Sequence, residues 1–137
     1  MTQVSMAERW LVWVLRFAGA VLLLAFLAVP LPVAWMAATH RWIGLGEFPS
    51  YPLVDYLTRS ISLLYGIKGG LYLLLSTDVR RYRAVIVYSA CAGIFFGLSM
   101  IAIDVAAGMP WTWTVGEGPP VMIAGGTILA LVRGVPR

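Results

Sequence analysis

Residues 84–107 read AVIVYSACAGIFFGLSMIAIDVAA, a run whose one charge is Asp104, with Arg83 before it and Gly108 and Pro110 after it. A helix rises about 1.5 Å per residue, and a bilayer core is about 30 Å thick, so about 20 mostly apolar residues make a span. The run meets that length, and the rest of the chain rules out a buried helix in a soluble globule. Of the 137 residues, 61% are hydrophobic and 12% charged, with a mean hydropathy of +0.86. A soluble domain carries about 25% charged residues. The 14 glycines and 8 prolines fall among apolar runs, which excludes a disordered chain. The composition therefore predicts a single all-α integral membrane domain.

Three further runs qualify as spans. One lies immediately before, from about Val54 to Leu75. Trp10 to Val29 forms the first span, ended by Pro30 and Pro32, which lack the N–H a helix interior needs. The last starts at Pro119 or Pro120, since proline suits a first helical turn, and ends at Val132, giving a short span of 14 residues. Arg9 followed by the apolar run Phe17 to Val29 could also be read as a signal peptide. The poor small-x-small match around Pro32-Val33-Ala34 favours a retained span.

Arginine and lysine mark cytoplasmic loops. The turn Asp78-Val79-Arg80-Arg81-Tyr82-Arg83 carries three arginines, and four spans place it on the same side as both termini with Arg9, Arg133 and Arg137. The other side keeps Arg41 and at most Arg59. The expected fold is thus a four-helix transmembrane bundle, N-in and C-in. Trp10 and Trp13 would lie at the inner boundary and Trp35, Trp42, Trp111 and Trp113 at the outer one, as aromatic belts do. In the outer loop from Leu31 to Leu53, the segment Val33 to Ile43 puts Trp35, Met36, Trp42 and Ile43 on one face. This predicts a helix lying in the interface, after which Gly44, Gly46, Pro49 and Pro52 turn the chain back.

Ionisable groups inside spans are costly and are functional candidates by default. There are four, Arg16, Arg59, Lys68 and Asp104. Asp55, Arg59, Ser62, Gly66 and Gly70 share one face of the second span, and Ser89, Gly93, Gly97, Met100 and Asp104 share one face of the third. Small faces let transmembrane helices approach closely. A single antiparallel register sets Gly66 opposite Gly97, Gly70 opposite Gly93 and Arg59 opposite Asp104. The expectation is a glycine seam between spans two and three, closed by an Arg59–Asp104 ion pair whose guanidinium Asp55 can share. That pair reads as a structural clamp or, with Glu117 and His40, as a substrate or proton site near the outer surface.

Lys68 lies on a different stripe with Tyr65 and Tyr72, and Arg16 falls at comparable depth. Either both cations snorkel to headgroups, or Arg16, Lys68, Tyr65 and Tyr72 form a basic pocket for an anionic lipid headgroup, another small anion or a partner's carboxylate.

Little else in the sequence points to chemistry. Cys91 is the one cysteine and His40 the one histidine, so neither a disulfide framework nor a metal or bis-histidine haem site is expected within the chain. Ser89 and Cys91 have no base beside them, and the glycine runs match no phosphate loop. No catalytic residue or cofactor is assigned. The net charge of +4 belongs to arginines that read as topology signals, so no nucleic-acid partner is expected.

Tyr56-Leu57-Thr58-Arg59, Tyr65-Gly66-Ile67-Lys68-Gly69-Gly70, the Asp78 to Arg83 turn and Asp104 closing the third span are carried by about half the chain. In these features it resembles the DoxX-like group of small four-span bacterial membrane proteins. The resemblance implies the four-helix fold, and in some relatives a role as membrane partner of a redox enzyme. The leading expectation is a non-catalytic membrane subunit or scaffold in a bacterial-type inner membrane, associating with a larger complex or with itself. It is motivated by the short fourth span and by small-residue surfaces at Ala18-Gly19-Ala20 and Ala124-Gly125-Gly126. The alternative is a binder or carrier of a lipid, quinone or other amphipathic molecule. A proton-coupled exporter ranks third, because Arg16 stands where such four-span proteins carry an acid.

Overall fold

The computed structural model describes residues 5–136; Arg137, counted above among the inner charges, lies outside them. Five α-helices follow one another: α1 (Met6–Leu23), α2 (Val33–Trp42), α3 (Pro52–Leu75), α4 (Arg83–Ala107) and α5 (Trp111–Arg133). No strand occurs among the described residues. A 3-10 segment, Leu24–Ala28, prolongs α1. Three helical segments are long and apolar enough to cross a membrane, Met6–Ala28, Arg83–Ala107 and Trp111–Arg133. The chain is a membrane-type helical protein.

Local sequence explains the helix ends. Ser5 opens α1 by accepting the Glu8 N–H at 3.2 Å, so an orphan donor of the first turn is satisfied. Asp78 Oδ1 accepts the Arg81 N–H at 3.0 Å and shapes the short turn before α4. At the far end of α4, Gly108 adopts φ +67° and caps the helix, a left-handed conformation that glycine enters without steric cost.

One boundary departs from expectation. The last helix begins at Trp111 rather than at Pro119 or Pro120 and carries both prolines in its interior. Its length is 23 residues, so the short fourth span is corrected to a full-length helix. Gly116 and Gly118 precede the prolines, and their small size eases the crowding that a proline ring imposes on the preceding turn.

The chain divides into two compact units. The first comprises the chain up to Ala18 together with everything from Tyr72, and the second is Gly19–Leu71. The first holds nearly all of the core. Leu11 and Leu15 of α1, Leu75 at the end of α3, Ile86 and Ala90 of α4, and Ile128 and Val132 of α5 are all buried. In it α4 and α5 pack antiparallel, and their backbones come close where small residues meet. A Cβ on Gly97 would come within 2.6 Å of the Gly118 carbonyl, one on Gly118 within 2.7 Å of the Gly97 carbonyl, and one on Gly125 within 2.8 Å of the Ala90 carbonyl. In the second unit the small face of α3 meets the preceding helix. A Cβ on Gly69 would strike the Gly19 carbonyl at 2.7 Å, and Gly66 lies under the Phe26 ring.

The seam expected between spans two and three is therefore corrected. The glycines of α4 face α5, with Gly97 on Gly118 and Gly93 against Val121, and Gly70 has open space where a Cβ would stand. The physical reason is that α5 presents Gly118 and Gly125 at the spacing that admits α4, so backbone meets backbone there.

Candidate functional site

Two polar centres stand out, one in each unit. In the second unit, Arg59 on α3 turns its guanidinium to three acceptors. Nε donates to Asp55 Oδ1 at 2.9 Å, Nη1 to the Val29 carbonyl, and Nη2 to the Leu31 carbonyl at 3.1 Å. Pro30 and Pro32 stop the first helix just here, leaving terminal carbonyls without intrahelical donors. A planar fork of N–H groups suits such a set, and a cation at a helix C-terminus is also favoured by the dipole. Arg59 is thus a clamp tying α3 to the end of the first helix, with Asp55 one turn away fixing the fork.

The pair expected between Arg59 and Asp104 is corrected by the same contacts. Among the described residues, Arg59 makes its ion pair with Asp55, whereas Asp104 Oδ2 is buried without a hydrogen-bond partner. Proline-exposed carbonyls outcompete a carboxylate on another helix because they are already fixed in place and cost no side-chain entropy.

The second centre lies in the first unit, where α4 ends and α5 begins. Asp104 is only 3% exposed. Glu117 of α5 is half-buried, accepts the Trp113 indole N–H at 2.7 Å, and lies within electrostatic range of Asp104. Two carboxylates therefore share one neighbourhood, one satisfied by an indole and the other with an unmet oxygen. Among the described residues no group of three or more His, Cys, Asp or Glu side chains could hold a metal ion.

At the opposite end of the first unit, the chain ends are latched to the α3–α4 turn. Arg80 forks onto Glu8 at 2.7 and 3.1 Å, Arg83 donates to the Val135 carbonyl at 3.0 Å, and Ser5 donates to the Gly134 carbonyl at 3.2 Å. Hydrogen bonding to Glu8 raises the Arg80 pKa above its ordinary value. The Arg80 side of this latch therefore holds at every pH below the ordinary arginine value, which includes the whole physiological range. Outside the latch, Met6, Arg9, Trp10 and Trp13 line an open groove of about 450 Å³ on α1.

Of the residues read as a basic pocket, Arg16 and Tyr72 belong to the first unit and Tyr65 and Lys68 to the second. Arg16 is exposed and its Nε lies 3.4 Å from Ser76 Oγ, eight positions along the chain from Lys68. Tyr72 is buried, Tyr65 and Lys68 are half-buried, and each of the three has an interaction partner. His40 serves its own loop, with Nδ1 donating to the Gly46 carbonyl at 3.0 Å and its ring edge-on to Phe48. Nearby, Arg41 and Glu47 approach to 3.6 Å at the exposed surface.

Compared with known proteins, the chain matches no family model, no curated sequence and no solved structure.

The carbonyls of Val29 and Leu31, the Trp113–Glu117 bond and the Glu8–Arg80 fork are the contacts that sequence reasoning missed. The first carried a signal in the proline pair. The second sits at helical spacing i, i+4, a signal hidden by starting the last helix at its prolines. The third joins residues 72 positions apart and had none.

Proposed function

We propose that this chain is a non-catalytic subunit of a bacterial-type inner membrane, docking through its helices onto a larger membrane complex or onto copies of itself. The observation that supports this most strongly is the outward face of α5. Gly118 and Gly125 are consumed by the contact with α4, but Gly116 and Gly126 are exposed, with nothing within 4 Å of where a Cβ would stand. Glycine costs about 1 kcal/mol relative to alanine in a helix and gains nothing against lipid, while a second helix can use it for close approach. The small surfaces read from the sequence divide accordingly: Gly19 and Gly125 face inward and Gly126 outward.

In this reading α3 is a further span. Its 24 residues give about 36 Å at 1.5 Å each, Asp55 and Arg59 neutralise one another, and Lys68 has a long stem that can snorkel. The four spans run N-in and C-in, α2 lies in the outer interface, and the groove with Arg9, Trp10 and Trp13 sits among inner headgroups. The resemblance to DoxX-like proteins belongs to the same proposal. With Cys91→Ser as background, Arg81→Cys is expected to resist an impermeant thiol reagent added to intact cells, whereas Glu47→Cys is labelled. The reverse pattern would overturn the orientation.

Docking is tested by native mass spectrometry of the protein released from lipid nanodiscs. The expected result is a complex with a second polypeptide or a second copy, lost in Gly126→Leu while helicity and unfolding midpoint are unchanged. A monomer that retains a lipid or quinone instead would replace this reading with that of a small-molecule binder.

A further inference from the structure

Asp104 is a buried carboxylate with one oxygen, Oδ2, that has no hydrogen-bond partner, and it belongs to no ion pair among the described residues. A carboxylate shut away from water without compensation is expensive. A second carboxylate, Glu117, lies in its electrostatic range and makes the local field more negative still.

The backbone of α5 adds oxygen within about one turn of this level. Pro119 and Pro120 lie inside the helix and have no N–H, so the carbonyls of Val115 and Gly116 lose their usual donors. A Cβ on Gly118 would come within 2.6 Å of the Ile101 side chain, and the helices are antiparallel. Gly97 faces Gly118 along the seam, so Asp104, seven residues further along α4, is level with the first turn of α5, and the freed Val115 carbonyl lies about one turn further along that helix.

We propose that Asp104 and Glu117, with the proline-freed Val115 carbonyl one turn along α5, form a water-completed binding site for a hard metal cation of the alkali or alkaline-earth class. Hard cations take oxygen ligands and complete their shell with water. Interrupted membrane helices offer freed carbonyls to such ions in the same way. The occupant is a small ion because Asp104 is too enclosed, at 3% exposure, to admit a long basic side chain.

The test uses the full chain in detergent, held at constant ionic strength with choline chloride, while NaCl, KCl, CaCl2 or MgCl2 replaces the choline. A ligand that binds the folded state raises the unfolding midpoint saturably, so one cation is expected to raise it by several degrees. Asp104→Asn should abolish that response, and Glu117→Gln should weaken the apparent affinity about tenfold, since ligand charge tunes such sites. Glu47→Gln, on the exposed loop, should leave it intact. The sodium and calcium arms decide between a monovalent and a divalent occupant. Equilibrium binding of radioactive sodium and calcium to the wild-type chain and to Glu117→Gln keeps the test decisive if Asp104→Asn does not fold. A midpoint that follows ionic strength alone, a response that survives in Asp104→Asn, or no measurable binding of either ion would overturn the proposal.

Discussion

Arg59→Leu is expected to lower the stability of the protein by about 2–4 kcal/mol, read as unfolding in detergent by circular dichroism. The side chain satisfies one carboxylate and two backbone carbonyls. Hydrogen bonds to charged groups contribute about 1.5–3 kcal/mol each when shielded, and the figure is reduced here because about a third of each partner's side chain remains exposed. Arg59→Lys should recover only part of the loss, because one ammonium cannot fork onto three acceptors that lie in different directions. Pairing is tested by double-mutant cycles. Arg59 should couple to Asp55 and show no coupling to Asp104, and in choline chloride, where no metal cation is bound, Asp104→Leu should cost little or nothing, since it removes an oxygen without a partner. A large cost for Asp104→Leu that disappears in the Arg59→Leu background would reinstate the pair that the sequence register suggested.

Much of the fold was legible because the bilayer imposes simple rules on a chain. Length and apolarity located α1, α3 and α4 to within a few residues, and the shared face of Trp35, Met36, Trp42 and Ile43, followed by glycines and prolines, located α2. What escaped had a common cause. Pro119 and Pro120 carry the signal of a helix start, and nothing local reveals that Trp111 to Gly118 already forms helix before them. The missing eight residues held Gly118, the partner of Gly97, so the small face of α4 was assigned to the wrong neighbour. A stripe of small residues says that some helix comes close; it does not say which, because any antiparallel neighbour with its own small residues offers a consistent register.

The candidate site was legible to a lesser degree, for a related reason. Side chains are printed in a sequence and backbone acceptors are not. Arg59 and Asp104 looked complementary in charge and depth, but Pro30 and Pro32 had already created fixed carbonyl acceptors for the guanidinium.

These two registers make opposite claims about Gly70, which gives the second large effect its control. In the structure, a Cβ on Gly97 would lie 2.6 Å from the Gly118 carbonyl and 2.6 Å from Met122. Backbone cannot be moved aside as a flexible side chain can, so Gly97→Leu must separate α4 from α5 along the seam. Overpacking of this kind costs about 1–3 kcal/mol and occasionally more, and a leucine pressed onto backbone belongs at the upper end of that range. Gly118→Leu should behave alike, because its Cβ would strike the Gly97 carbonyl at 2.7 Å. Gly70→Leu has open space around it and should leave the unfolding midpoint unchanged or raise it slightly, since leucine is the better helix former. A seam between α3 and α4 would instead make Gly70→Leu as damaging as Gly97→Leu and leave Gly118→Leu harmless. Thermal unfolding of the three single variants in one detergent therefore decides between the two arrangements.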